Sequence, residues 1–446
     1  MANTRANILV VLSDQQRPDS CGVFGQRLDV TPNLDALAAG GVAFDSAFTV
    51  QPVCGPARAA MQTGRYPTEV GCWRNGLALP PGEMTLASEI GALGYQTGYV
   101  GKWHLASDRG PRLPHERSKQ RWERAPVPPS RRGGYSDVWV GADALEMTSG
   151  AYGGHLFDEQ GERVELEGYR VDGLTDVAIE RLGSFERDRP FMMWVSYLEP
   201  HHQNDRFRII GPTGWAKRFK DFEVPKDLSR WRGDWRWNYA EYLAACASVD
   251  QNLGRLVDEL RRLGTLDDTI IVFTSDHGTH FRTRNLEYKR SPHDASIRVP
   301  MVVSGPGFEP GRRSSDLVTH LDLMPTFLHA AGAGKEVVDS MRGSSLMSRI
   351  DRDEFLIQIS ESQIGRTLRT RRYTLGAMSS SKVPLAGHLQ PSASSYRVTH
   401  LYDNEADPHQ LTNLARQGSS SAIRRELSER LVDQIRTIEG ESPAIE

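Results

Sequence analysis

With 446 residues, 38% hydrophobic and 25% charged, the chain has the composition of a soluble globular protein large enough for one big domain and a smaller one. Lys+Arg number 54 against Asp+Glu 57, so the net charge is −3; no whole-protein field draws nucleic acid or an anionic membrane, and an anionic substrate must be held by locally placed cations. No apolar run is long enough to span a bilayer, and residues 8–12 are too short for a signal core. As given, the chain therefore reads as cytoplasmic, or as exported if a leader has been removed.

Four apolar runs each end in polar residues. Residues 7–13 lead into Asp14-Gln15, 97–101 into Lys102-Trp103-His104, 191–196 into Glu199-Pro200-His201-His202, and 269–275 into Asp276-His277-Gly278. Runs of this kind, apolar without strict alternation, suit strands buried on both faces of a parallel sheet. Between them lie helical patterns. Thr31-Pro32 reads as a Thr cap with Pro in the first turn, and 240–263 keeps a helical rhythm until Gly264. The alternation predicts an α/β sheet flanked by helices, whose strands deliver all four polar clusters to one rim.

Residues 109–134, rich in Pro and Arg, read as a surface insertion. Residues 204–238, carrying Trp215, Trp231, Trp235 and Trp237 among many cations, read as either a lid or a lining. Past about Ser345 the pattern changes: 355–359 and 372–375 look like strands, 379–395 like a polar loop, and 423–438 like a final helix. This divides the chain into residues 1–345 and a small α+β domain, 346–446, with an antiparallel sheet and a terminal helix.

Of the four cysteines, Cys21, Cys72 and Cys246 read as free thiols, since a chain this long needs no disulfides. Cys54 differs. In Cys54-Gly55-Pro56-Ala57-Arg58 the proline suits a first helical turn and 57–62 are good helix formers, so Cys54 stands at a helix N-terminus, where free N–H groups favour an anion. Arg58, one turn on, can face back toward Cys54 and grip an oxyanion.

The string Cys-x-Pro-Ala-Arg followed by Thr63-Gly64-Arg65 resembles the signature of the type I sulfatases, of the alkaline phosphatase-like superfamily. So do Asp14 after its apolar run, Gly101-Lys102-Trp103-His104, Pro200-His201, Ser275-Asp276-His277-Gly278, Lys289 through Arg298-Val299-Pro300, and a closing Leu401-Tyr402-Asp403 with Asp407-Pro408, all in that family's order. The resemblance implies a large, mixed, mostly parallel sheet flanked by helices and a smaller C-terminal α+β domain. It also implies that a formylglycine-generating enzyme converts Cys54 to formylglycine, whose hydrate attacks the sulfur of a sulfate ester and later expels sulfate.

The same resemblance places a divalent metal on Asp14, Gln15, Cys54, Asp276 and His277. Gln15 stands where a second Asp is frequent and His277 where Asn is frequent, so the site is less anionic; calcium is the expectation, with manganese or magnesium admitted. Arg58, Lys102 and Lys289 would neutralise charge, His104 would act as a base, and His201 with Lys289 would protonate the leaving oxygen. His202, His280, Arg282, Arg284, His293, Trp73 and Arg74 are substrate-binding candidates, with Asn75, Asn204 and Arg206 beside them. Trp and Arg suit a sulfated sugar, because aromatic faces stack on rings and guanidinium groups bind sulfate. The expected partner is thus a sulfate ester of a saccharide or small molecule, with no nucleic acid or membrane; a homo-oligomer is open. Two other readings stand beside this one: a phosphonate or phosphate ester hydrolase of the same superfamily, and a silent binding protein on the same fold.

Overall fold

The four apolar runs lie side by side. The computed structural model describes residues 5–108, 121–203, 206, 208–379 and 386–446. Its large sheet contains β1 (Asn7–Ser13), β2 (Gly41–Phe48), β3 (Gln96–Lys102), β4 (Val138–Ala142), β5 (His155–Phe157), β6 (Arg163–Glu165), β7 (Phe191–Ser196), β8 (Thr269–Ser275), β9 (Met301–Ser304) and β10 (Arg312–Thr319). The order is β10-β2-β9-β8-β1-β7-β3-β4-β5-β6. β8, β1, β7 and β3 are consecutive and parallel, so Asp276, Asp14, His201 and Lys102 all leave from one edge. The sheet is mixed because β9 runs antiparallel to both β8 and β2, and β5 and β6 add antiparallel pairs at the far end.

Helices on both faces explain the unbroken apolar runs. Ile8, Val10 and Leu12 of β1 join Met192, Trp194, Ile270 and Val272 on one face, under helices Cys54–Thr63, Leu86–Ala92 and Leu323–Ala330. Leu9 and Val11 join Met193, Val195, Ile271 and Phe273 on the other, under Pro32–Ala39, Arg170–Leu182 and Trp235–Arg262. A strand alternates its side chains, so only burial on both sides asks for apolar residues at every position.

Local details depart from expectation. Thr31 does not cap helix Pro32–Ala39; its hydroxyl accepts from Gly22 N at 2.8 Å. The free N–H groups of Asn33 and Leu34 go instead to the Asp250 carboxylate, at 3.1 and 2.8 Å. The long helix begins at Trp235 rather than Ala240, which takes Trp235 and Trp237 out of the expected insertion. Of 109–134, residues 109–120 lie outside the described ones; the rest is no loose insertion, since Val127 is buried in the core and Arg132 lies 5.4 Å over the Trp139 ring.

The second sheet follows chain order: β11 (Glu354–Ile359), β12 (Gly365–Thr370), β13 (Tyr373–Ser379), β14 (Ser395–Asp403) and β15 (Ala444–Ile445). The first four are antiparallel and β15 joins β14 in parallel. Helix Ser421–Glu439 lays Leu427, Leu431 and Ile435, one turn apart, on Leu356, Leu368, Leu375 and Leu401. Val50, Ala60, Tyr66 and Leu321 of the large unit belong to the same apolar cluster. Among the described residues no helix is long and apolar enough to cross a membrane.

Candidate active site

Helix Cys54–Thr63 is buried along all ten residues, and Cys54 is its first. Asn75 Oδ1 takes the Gly55 N–H at 2.8 Å, so Asn75 serves the helix rather than a ligand. Cys54 meets residues from two strand ends and one loop. Its Sγ lies 2.8 Å from Lys289 Nζ, 3.3 Å from His277 Nε2 and 3.6 Å from Asp14 Oδ1. Lys289 Nζ is also 2.8 Å from His277 Nε2 and 3.5 Å from His201 Nε2. Burial pushes the Cys54 thiol up, but Lys289, Lys102 and His277, with a hydrogen bond from His104, bring it well below the usual thiol range.

Two buried carboxylates share this pocket. Asp14 would be raised by burial and by Cys54, yet Lys102, His201 and Lys289 hold it below the carboxylate range. Asp276 is raised, by burial first and then by the charge of Asp14. Lys102 donates to Asp14 Oδ2 at 2.8 Å. Arg58 does not face an open oxyanion position as the sequence suggested. Its Nη2 bridges Asp14 Oδ2 at 3.2 Å and Asp276 Oδ2 at 3.3 Å, while Nη1 donates to Lys102 O and Ser196 Oγ, leaving only Nε without a partner. Its guanidinium therefore fixes the carboxylates.

The donor set fits a divalent cation. Ligand atoms of Asp14, Cys54, Asp276 and His277 all lie within 4.8 Å of one another. Gln15, held at φ 72 by its backbone N–H on Asp276 Oδ1, buries both side-chain amide atoms with no hydrogen-bond partner, and Asp276 Oδ2 accepts no hydrogen bond. An orphaned amide in a dry pocket is costly unless something absent from the protein engages it. His277 Nδ1 sits 2.9 Å from Gly278 O, which leaves Nε2 facing the cluster.

The other candidates divide. His202 stacks between His201 (4.2 Å) and Tyr288 (4.3 Å), beside the site. Arg282, 41% exposed at its side chain, lies over the Tyr288 ring at 4.7 Å. Two others, Arg284 and His293, are engaged elsewhere, while both ring nitrogens of His280 are buried without a hydrogen-bond partner. Arg284 donates to Gln410 O and His409 O, and His293 is held by Ser291 Oγ and Tyr402 Oη, so both tie the segment after β8 to the C-terminal unit. His280 is fully buried, and burial pushes its pKa down to about 3. Trp73 and Arg74 stand beyond the helix start; the Trp73 carbonyl accepts from Gln51 and Ser360, and Arg74 donates to Asn75 O. Asn204 lies outside the described residues.

Glu146 carried no signal in sequence. It sits in a short turn of helix after β4, its Oε2 3.5 Å from Lys102 Nζ. Burial would raise it, but Lys102, His104 and His201 bring it to about 2. Beside it a cavity of about 180 Å³, lined by Asn75, His104, Ser107, Asp143 and Glu146, adjoins the start of helix Cys54–Thr63.

Comparison with known proteins decides what family assembles this pocket. The Sulfatase family model matches residues 6–333. The chain belongs to the sulfatase family. An ulvan-active sulfatase of Formosa agariphila is 30% identical over 455 residues, covering 96% of this chain and 80% of that one. An N-acetylglucosamine-6-O-sulfatase of Bacteroides thetaiotaomicron is 24% identical over 517 residues, covering 96% and 86%. The crystal structure of yidJ from Bacteroides fragilis superposes with a TM-score of 0.81 over 98% of this chain and 97% of that one, at 24% identity. As a sulfatase the protein is a sulfuric ester hydrolase, with its pocket on the carboxyl rim of the large sheet.

Proposed function

We propose that this sulfatase hydrolyses the sulfate ester of a sugar, using a formylglycine made from Cys54. The observation that carries the reading is the crowding of Lys289, His277 and Asp14 around Cys54, a concentration of charge that an inert buried thiol does not need. Oxidised Cys54, as the aldehyde hydrate, supplies an oxygen nucleophile that a thiol cannot. Asp14, Gln15, Asp276 and His277, beside residue 54, would hold a divalent cation, calcium in this reading, which would supply Lewis-acid polarisation of the ester.

The chain's own residues do the rest. Lys102 and Lys289 place two ammonium groups around the incoming sulfate, and Arg58 locks the carboxylates so that neither turns toward it. His201 Nδ1 is fixed on His202 O at 2.7 Å, so Nε2 is directed at Lys289 Nζ. The two can share a proton and deliver it to the departing alkoxide. His104, held at φ 64 over the nucleophile helix, takes a proton from residue 54. The named activities of the two relatives, on ulvan and on N-acetylglucosamine 6-O-sulfate, support a carbohydrate substrate.

A phosphonate or phosphate ester hydrolase is the second reading, favoured by Gln15 and His277 in the metal set. Comparing kcat/KM for p-nitrophenyl sulfate, N-acetylglucosamine 6-sulfate, a phosphate monoester and a phosphonate monoester separates the two. The sulfate esters are expected to lead; a clear lead for either phosphorus ester overturns the assignment.

Glu146 gives a pH prediction. Burial alone would lower the Lys102 pKa, but Asp14 and Glu146 raise it, so the ammonium persists to high pH. Once a cation shares the charge of Asp14, Glu146 is the main remaining support. Glu146→Gln should therefore let Lys102 lose its proton earlier, moving the alkaline limb of kcat/KM down by about one pH unit, while Glu146→Asp stays close to wild type. An unmoved alkaline limb in Glu146→Gln shows that Glu146 does not sustain this charge.

A further inference from the structure

Residues 230–237 expose five side chains, and all five are arginine or tryptophan: Arg230, Trp231, Arg232, Arg236 and Trp237. Trp237 is 76% exposed and Trp231 39%. Single exposed indoles are common, but two set among three arginines are not explained by incomplete burial. Among the described residues Arg230, Arg232 and Arg236 make no ion pair with a carboxylate; Arg230 lies 5.8 Å over the Trp231 ring and Arg236 5.1 Å over that of Trp235. The one acid of the segment, Asp234, is engaged by the Tyr288 hydroxyl and lies 3.7 Å from Arg282 Nε. This positive, aromatic strip belongs to a chain of net charge −3, so it is a local feature.

The strip is joined to the active site. Asp234 N donates to Phe281 O at 3.1 Å, pinning it to the loop that carries Lys289. From there Arg282 lies over Tyr288, Tyr288 stacks on His202, His202 on His201, and His201 reaches Lys289 beside Cys54. The ladder runs from the reacting residue outward to solvent.

We propose that the Arg230–Trp237 strip is a second binding site, which takes further sulfated sugar units of a glycan chain beyond the one being cleaved. The inference rests on the carbohydrate reading above. An exposed indole face such as that of Trp237 stacks on a pyranose ring, and guanidinium groups without a carboxylate partner grip sulfate in two-pronged fashion, so both halves of such a unit find a partner. A protein partner would leave the uncompensated arginines without a reason, and a single-stranded nucleic acid meets an overall negative chain.

The test uses full-length protein carrying Cys54→Ala, so that nothing is turned over, and follows indole fluorescence. The probes are dextran sulfate oligosaccharides, glucose 6-sulfate, poly(vinyl sulfate) and oligothymidylate. Dextran sulfate is expected to bind tighter than poly(vinyl sulfate) by about tenfold, an advantage that adding Trp231→Ala and Trp237→Ala removes. Glucose 6-sulfate should bind equally with and without the two tryptophans. In the otherwise native enzyme the tryptophan pair should leave kcat/KM on p-nitrophenyl sulfate unchanged. Unaltered dextran sulfate affinity in the double tryptophan variant overturns the proposal. So does tighter binding of oligothymidylate, or loss of a dimer on sedimentation with sugar binding intact. If the wild type prefers phosphorus esters while dextran sulfate binding still needs the tryptophans, the functional reading fails and the binding site stands.

Discussion

Cys54→Ala is expected to lose at least about a thousandfold in turnover of every sulfate ester while the protein keeps its fold. The side chain removed is small, and its sulfur contacts are polar ones to Lys289, His277 and Asp14 rather than apolar packing. The change in stability should therefore stay within about 1 kcal/mol, near the low end for buried truncations. Turnover on a series of aryl and alkyl sulfates, with a thermal melt of the same samples, checks both halves. Mass analysis of the peptide containing residue 54 completes the test, since the aldehyde is the form expected in active wild-type protein. Near-wild-type turnover in the alanine variant, or only intact thiol in fully active enzyme, refutes the nucleophile.

Removing the divalent cation should cost nearly as much activity and, unlike the cysteine substitution, should also lower the melting temperature. Asp276 is pushed up by burial and by the charge of Asp14, and His277 and Arg58 offset this only in part, so a cation shared by the two carboxylates would be favoured. A cation bound only by the folded protein stabilises it by about 2.7 kcal/mol at a hundred times its Kd, so chelation should lower Tm by several degrees. Asp276→Ala gives the same comparison without a chelator. Calcium is expected to restore both activity and Tm after chelation; restoration by manganese alone would show that the His277 nitrogen selects a softer ion. Activity and Tm unmoved by both chelation and Asp276→Ala dispose of the metal site altogether.

The elements legible in sequence were those whose neighbours impose a repeating demand. β1, β3, β7 and β8 are buried on both faces, so nearly every residue must be apolar, and the pattern shows in one dimension. β12 was missed because Arg366 and Arg369 interrupt it. Both are buried all the same, Arg366 on Glu439 and Arg369 on Asp294 with its guanidinium 4.9 Å over Phe48. A charged residue looks exposed until its distant partner is known.

The same division holds at the site. Cys54, Asp14 and the Asp276-His277 pair could be picked out from sequence because each ends or begins an element with its own local signature, and their order along the chain is a family pattern. What Arg58, Arg284, His293 and Glu146 do depended on groups 40 to more than 100 residues away: Asp14 and Lys102 for the first, carbonyls at 409 and 410 for the second, Tyr402 for the third, and Lys102 for the last. Hydrophobic burial acts on every residue of a strand and so writes itself into the chain. An ion pair or a single hydrogen bond is one contact between two points, and only the tertiary structure says which two meet.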